Sequence, residues 1–378
     1  MPAPARVVLV GGGHSHLEIL RRQILRPHPR ISLTLISAGP RQHYSGMVPG
    51  FLAGIYSEEE IAFDLNALAE RAGGRFFAEK AVAIDPAGRS LRLSNGRLVE
   101  YDFVSFGIGS GTKGSDLPGV REHAWTVKPI QRAVALRGAL LALARGTGTA
   151  HAAIVGAGAA GVEIACAAAA VLDGAGRARQ ITILDGGPEI MEGYEPRFRR
   201  LARRALEAKG CAISVGASVS EVRENLLRLA DGREIPSDLT VWLTGPAPVD
   251  LFRGSGLALD PRGYLLVDES LRSVSDARIF GVGDCATLAA FPATPKAGVY
   301  AVREGPILWE SLIAAVDSTP PPRYQPQSGF LSILNTADGK ALLRYGGFNS
   351  QSRWAWRLKD RIDRRFMRKY QSLVHVMH

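Results

Sequence analysis

Short apolar runs rich in β-branched residues alternate with glycine clusters along most of this chain. Residues 6–10 (RVVLV), 31–36 (ISLTLI), 152–155 (AAIV), 181–184 (ITIL) and 277–280 (ARIF) are continuous rather than alternating. Such runs predict strands covered on both faces, as in a parallel sheet. The stretches between them are long enough for crossover helices, so the pattern predicts an α/β fold. After Pro320-Pro321-Pro322 the pattern changes. Two strand-like segments, FLSILNT and KALLRYGGF, lead into a helical repeat over 353–374.

Two glycine turns stand out against this background. Gly11-Gly12-Gly13-His14-Ser15-His16 follows the first apolar run and opens a helical segment. The order strand, tight turn, helix, strand is a dinucleotide fingerprint, because bare N–H groups at the helix start receive a pyrophosphate. Two positions depart from it: His16 replaces the third glycine, and Ser37 stands where an acidic residue usually holds a ribose. Gly156, Gly158 and Gly161 in AAIVGAGAAGVEI match the fingerprint fully, with Ala159 and Ala160 at the helix start. The following strand ends at Asp185, whose carboxylate accepts ribose hydroxyls and repels a 2′-phosphate, which favours NAD over NADP. Two fingerprints a domain's length apart predict two nucleotides. His14 and His16 are two residues apart, a spacing that does not share a helix face, so no metal site is expected.

Composition narrows the classes. With 46% hydrophobic and 22% charged residues, the 378-residue chain reads as globular and large enough for two or three domains. No apolar stretch reaches the roughly 18 residues of a membrane span. The N-terminal apolar run is cut short by glycines, unlike a signal peptide. The expected location is the cytoplasm or the cytoplasmic face of the inner membrane. Cys166, Cys211 and Cys285 are too dispersed for a zinc ribbon or a local dithiol.

These motifs, taken in order, resemble the pyridine nucleotide-disulfide oxidoreductase superfamily. Its closing strand with a Gly-Asp turn is matched by IFGVGDCA. Its middle motif is approximated by Tyr101–Ser110, and its second return by LTVWLTGPAP. The resemblance implies two Rossmann-like three-layer domains of the glutathione-reductase type and a small α+β C-terminal region. It places an FAD domain at 1–122 and 264–325, an inserted NAD(H) domain at 123–263, and C-terminal strands plus a helix at 326–378. It assigns Gly107, Gly109, Gly283, Asp284 and Ala297 to FAD and Gly245 to NADH. Ser45, in YSGMVPG, belongs to a loop that covers the flavin in relatives.

Without the CxxxxC of the dithiol reductases, the chain looks like the type II NADH dehydrogenases. GGGHSH, YSGMVPG, KAGVYAVREGP and WRLKDRIDRRFM resemble a branch often fused ahead of selenide, water dikinase. The implied activity is hydride transfer from NADH to FAD, then electron transfer to an acceptor, first of all a membrane quinone. Alternatives are a soluble selenium or sulfur acceptor, or an apoptosis-inducing-factor-like interaction protein. A homodimer is a further expectation. Glu163 is expected near the nicotinamide and flavin, Lys296 near the flavin ring, and Tyr300 in an acceptor pocket. Lys128, in TVKPI, reads as a linker residue.

The formal charge of +10 asks for an anionic partner. Residues 353–370 concentrate it, with eight basic side chains against Asp360 and Asp363. Steps of about 100° place Trp354, Leu358, Ile362, Phe366, Tyr370 and Leu373 on one helix face. Arg353, Arg357, Arg361, Arg364 and Arg368 fall on the other. A basic helix with an aromatic face fits a membrane surface; no nucleic-acid motif accompanies the charge.

Overall fold

A computed structural model describes residues 3–374. The β-branched runs form two five-stranded parallel sheets with the same internal logic. In the first, Ala5–Val10 lies between Ile31–Ser37 and Phe103–Phe106. Arg75–Ala78 and Ile279–Gly281 complete the edges. In the second, Ala150–Val155 lies between Arg179–Leu184 and Leu239–Trp242, with Cys211–Ser214 and Ala124–Thr126 outside. The central strands are almost wholly buried, which is why their sequences do not alternate. In each unit an antiparallel meander precedes the return strand: Ala81–Glu100 in the first and Val219–Pro236 in the second.

The chain enters the second sheet at Ala124 and re-enters the first at Ile279. The helix Gly298–Asp317 then packs along the helix His14–Leu25, closely enough that a Cβ on Gly305 would lie 2.8 Å from Glu18 Cβ. Past it, Ser332–Asn335, Ala341–Tyr345 and Phe348–Ser352 form an antiparallel meander.

The C-terminal helix runs from Arg353 to Gln371, capped by Ser352, whose side chain accepts from Ala355 N. It ends three residues short of the expected 374. Its buried face also differs from the wheel drawn on its sequence. Ala355, Lys359, Asp363, Met367 and Tyr370 point inward, whereas Trp354 is 49% and Ile362 41% exposed. The helix is turned by about one residue relative to its most apolar face. The reason is tertiary: Lys359 and Asp363 find buried polar partners on the first unit, and Tyr370 and Lys369 reach the buried carboxylate of Glu18. Burial disfavours that charge, but Arg21, Lys369 and Arg22 hold the Glu18 carboxyl down at about 2.

The helix Ala159–Gly174 lies very close to the second glycine turn at Gly161, where a Cβ would stand 1.9 Å from Gly156 O. Gly161→Ala therefore forces the helix Ala159–Gly174 off its sheet. We expect a loss of stability of about 2 kcal/mol or more by chemical denaturation. Gly158→Ala, whose Cβ meets nothing within 4 Å, should leave stability nearly unchanged.

Candidate active site

Both glycine turns are built around one contact. Gly11 has φ +94°, and a Cβ there would lie 2.5 Å from Gly107 O; one on Gly13 would lie 2.7 Å from the same carbonyl. In the second unit Gly156 has φ +109°, with its Cβ position 2.4 Å from Leu243 O. Only glycine lets the turn pass so close to the end of the return strand. Each helix then starts at the carboxyl edge of its sheet, between strands that run to opposite sides. Neither N-cap glycine, Gly13 or Gly158, offers a side-chain cap, so first-turn N–H groups face outward for a ligand.

His16 corrects the sequence expectation. It is fully buried and lies under the turn rather than in the cleft. Its Nδ1 is 2.6 Å from Gly11 O and its Nε2 2.9 Å from Ser105 Oγ. The carbonyl only accepts, so Nδ1 carries the proton and Nε2 accepts from the serine. Burial pushes the imidazole down to about 4. The ring thus replaces the third glycine's close packing with a hydrogen bond to the corresponding carbonyl.

A cleft of about 690 Å³ opens at this edge of the first sheet. Gly11, Gly12, Gly13, His14 and Ser15 line one wall, and Ser37 and Ser45 lie further along it. Gly107, Gly109, Gly283 and Asp284 form the facing wall, with Gly298 at the start of the long helix. The cleft fits a dinucleotide: it is roomy, rich in glycine and faced by an uncapped helix start. Ser15 also fastens that start to the long helix, donating to Ala301 O at 2.6 Å.

Lys128, read from sequence as a linker residue, is part of this wall. Its ammonium donates to Asp284 Oδ2 at 2.8 Å and to Ser110 Oγ at 2.6 Å. A lone lysine in the short apolar segment just after the first strand of the second sheet was the available signal. Lys296, Ala297 and Tyr300 line a neighbouring cavity of about 20 Å³, room for one water, which shares Gly283 and Asp284 with the cleft and is also lined by Thr287 and Glu304. The long helix begins at Gly298, so Lys296 lies outside it. Its ammonium is drawn instead to Ala286 O, to Thr287 Oγ1 at 3.0 Å, and to the Tyr264 ring.

At the second turn, Asp185 accepts from Ala157 N at 2.7 Å and Gly187 N at 2.8 Å. Gly158 and Ala160 are exposed beside it, and Ala159 is partly so. Gly245, at φ +102°, follows the return strand with open space at its missing Cβ.

Glu163, in the helix that follows, is bonded to the C-terminal meander. Its Oε1 accepts from Asn335 N at 2.7 Å. Burial pushes its carboxyl up to about 7, against the Lys359 charge and the Asn335 N–H; Asp363 adds to the rise. Across from it, Tyr44 OH donates to Asp363 Oδ1 at 3.2 Å and stacks on Phe366 at 4.6 Å. His14 lies edge-on to Tyr44 at 5.6 Å. Lys359, Asp363 and Phe366 were not expected here, because the sequence wheel gave no reason to bury a lysine and an aspartate.

Cys166, Cys211 and Cys285 are buried and unpaired, and burial raises each thiol well above its usual range. None is poised as a thiolate.

Glu304, also missed from sequence, accepts from Gly283 N at 2.6 Å beneath the Gly-Asp turn. Burial raises it to about 7, although the Gly283 N–H and Lys296 oppose the rise. A carboxyl raised on folding binds more protons in the native state, so its contribution turns unfavourable as pH climbs from the unfolded value towards 7. Glu304→Gln keeps an acceptor for Gly283 N–H and removes that titration. Its melting temperature should fall less than that of the wild type between about pH 5 and 8; parallel curves would exclude the effect.

Residues 5–305 match the pyridine nucleotide-disulphide oxidoreductase family. The NADH dehydrogenase-like protein YutJ of Bacillus subtilis is 25% identical over 295 residues, covering 77% of this chain and 79% of YutJ. The NADH dehydrogenase-like protein Rv1812c of Mycobacterium tuberculosis is 30% identical over 223 residues, 57% of this chain and 56% of that protein. This chain thus spans about half the length of the mycobacterial relative. Among solved structures, the sulfide:quinone oxidoreductase of Aquifex aeolicus superposes with a TM-score of 0.83 at 18% identity, over 98% of this chain and 92% of its own. NDH2 of Plasmodium falciparum in complex with NADH gives 0.81 at 13% identity, over 98% and 97%. These two likenesses concern the fold. With the paired glycine turns and the match over 5–305, the chain belongs to the pyridine nucleotide-disulphide oxidoreductase family and is an NAD(P)H-dependent flavoprotein oxidoreductase.

Proposed function

We propose that this chain is an NADH:quinone oxidoreductase of the type II kind, working at the cytoplasmic face of a membrane. The carrying observation is that the C-terminal part bonds both nucleotide units: Asn335 N donates to Glu163, one turn along the helix after the second glycine turn, and Asp363 accepts from Tyr44 OH in the loop beside the first cleft. Transfer between two cofactors requires that both nucleotides reach one common spot, and a part of the chain bonded to both units fits that requirement.

FAD supplies the hydride-accepting and electron-passing chemistry when bound. The residues hold, orient and manage protons. In the first cleft, Gly11–Gly13 would offer N–H groups to a pyrophosphate, Ser37 would hold the adenosine ribose, and Asp284, steadied by Lys128, would hold the ribityl side. At the second turn, Gly158, Ala159 and Ala160 leave the helix start clear for NADH, and Asp185 would hold its ribose. This reading divides the chain at 1–122 and 264–325 for FAD, 123–263 for NAD(H), and 326–378 for the C-terminal part. The two separate parallel sheets support that division.

A quinone leaves with two electrons and two protons, whereas NADH delivers two electrons and one proton. One proton enters from water, and Glu163, whose carboxyl is raised to about 7, would carry it. The docking reading rests on a surface patch. Tyr345, Phe348 and Trp354 are 61%, 56% and 49% exposed, beside the exposed Arg353, Arg357 and Arg361. Apolar rings rimmed by arginines suit an anionic bilayer surface. No helix among the described residues is long and apolar enough to cross a membrane.

Anaerobic NADH should bleach the flavin absorbance of the purified holoprotein, and a short-chain ubiquinone should restore it. Bleaching without recovery would overturn the quinone assignment. Phe348→Ser and Trp354→Ser should each lower binding to anionic liposomes about tenfold in sedimentation assays, while bleaching by NADH stays unchanged.

A further inference from the structure

The two units carry the same glycine turn on the same hydrogen-bond register, so their strands can be matched residue by residue. Gly11 N donates to Ile36 O and Gly156 N to Leu184 O, both at 2.7 Å. Ser37 and Asp185, the residues that follow, are therefore equivalent. One strand further out, Ile36 pairs with Phe77 and Leu184 with Ser214. Counting on from these pairs, Glu79 and Gly216 occupy equivalent positions. The second unit thus has a carboxylate at the end of its second strand and a glycine on the strand beside it. The first unit has the reverse arrangement: a hydroxyl at the end of the strand and a carboxylate beside it.

Glu79 is also held in place. It lines the same cleft as Ser37, and the strands that carry the two are paired at Ser37 and Ala78, about 4.8 Å apart. Ser94, in the turn after Ser90–Leu93, fixes this corner from the meander. Its N–H donates to Lys80 O at 2.8 Å, and its Oγ accepts from Lys80 N at 3.2 Å. The same hydroxyl donates to Glu79 Oε2. Among the described residues, Glu79 Oε1 has no hydrogen-bond or ion-pair partner. One oxygen is thus tied to the protein and the other is left for a donor in the cleft.

We propose that Glu79 is a specificity-determining residue for the cofactor of the first cleft: its free oxygen accepts the 2′-hydroxyl of the FAD adenosine ribose, with Ser37 beside it on the neighbouring strand. The inference rests on the FAD reading of this cleft and deepens it. A ribose needs a carboxylate within reach, not a carboxylate on a particular strand. A hydroxyl donating to a carboxylate makes a charge-assisted bond, stronger than one made with a serine. Moving the acid one strand outward therefore keeps the recognition that the first fingerprint lacks at Ser37. An ordinary solvated glutamate pinned by Ser94 would have no preference for a ligand bearing that hydroxyl.

The test is a competition read without turnover. Full-length holoprotein is incubated with an excess of FAD and its 2′-deoxyadenosine analogue in equal amounts until the bound fractions are constant. Free flavin is removed, and the ratio of the two bound forms is measured by mass spectrometry. Wild type should prefer FAD about tenfold, Glu79→Gln about threefold, and Glu79→Ala twofold or less. Ser94→Ala, which releases the carboxylate without removing it, should fall between wild type and Glu79→Ala. A loss of general stability lowers the affinity for both flavins together and leaves the ratio where it was. A wild type without preference, or a ratio unchanged in Glu79→Ala, overturns the proposal. Should Glu79→Ala fail to retain flavin, the near-isosteric Glu79→Gln decides, and an unchanged ratio again overturns it. A protein that neither purifies with FAD nor takes it up would sink the FAD reading and this proposal together. A flavin-loaded protein whose ratio ignores Glu79 sinks the proposal alone.

Discussion

The close approach of a glycine turn to a strand-end carbonyl is the contact on which the rest of this molecule depends. It occurs twice, at Gly11 against Gly107 O and at Gly156 against Leu243 O. In both places the missing side chain lets a helix start flush with the carboxyl edge of a parallel sheet. The helix dipole and its free N–H groups then face the crevice where strands diverge, the usual ligand position in such sheets. Were either turn forced away by a side chain, its helix would tilt off the sheet and the phosphate-facing edge would be lost. The two turns complete themselves differently. Gly161 does so by absence of a side chain, His16 by a buried hydrogen bond to the equivalent carbonyl.

Around this frame, the polar interior is concentrated where the units meet. Glu304 supports the Gly-Asp turn from below, and Lys128 steadies Asp284 from the side. Glu18 gathers Arg21, Arg22, Lys369 and Tyr370, and so ties the C-terminal helix to the first glycine-turn helix. Asn335, Lys359 and Asp363 bring the same C-terminal segment to Glu163. A segment without a nucleotide fold of its own thereby supplies much of the electrostatic setting of the site. The helix also faces two ways. Its inner charges meet the loop beside the cleft, and its outer aromatics and arginines face solvent.

Sequence alone made most of the frame legible. Glycine spacing after a β-branched run encodes a local backbone geometry, and continuous apolar runs encode burial on both faces. Both are short-range properties, so the paired sheets, both turns and the placement of Gly11–Ser15 and Ser37 could be read directly, whereas Ser45 and Asp284 came from the family resemblance. Even the C-terminal strands and helix followed from local pattern.

What only the tertiary structure decided is which distant groups share a buried space. Lys128 and Asp284 meet across 156 residues of chain, and Glu163 and Asn335 across 172. No local pattern reports such separations. The rotation of the C-terminal helix was hidden for the same reason. A wheel ranks faces by hydrophobicity, but a carbonyl at Gly46, a hydroxyl at Tyr44 and a carboxylate at Glu163 made a lysine and an aspartate the better inward pair. Lys296 bonds to Ala286 O, on a strand edge beside the cleft, a partner that local sequence did not report. Backbone geometry is local and therefore written in the sequence. The partner of a buried charge is set by the packing of elements far apart in the chain, and it emerges only when they fold together.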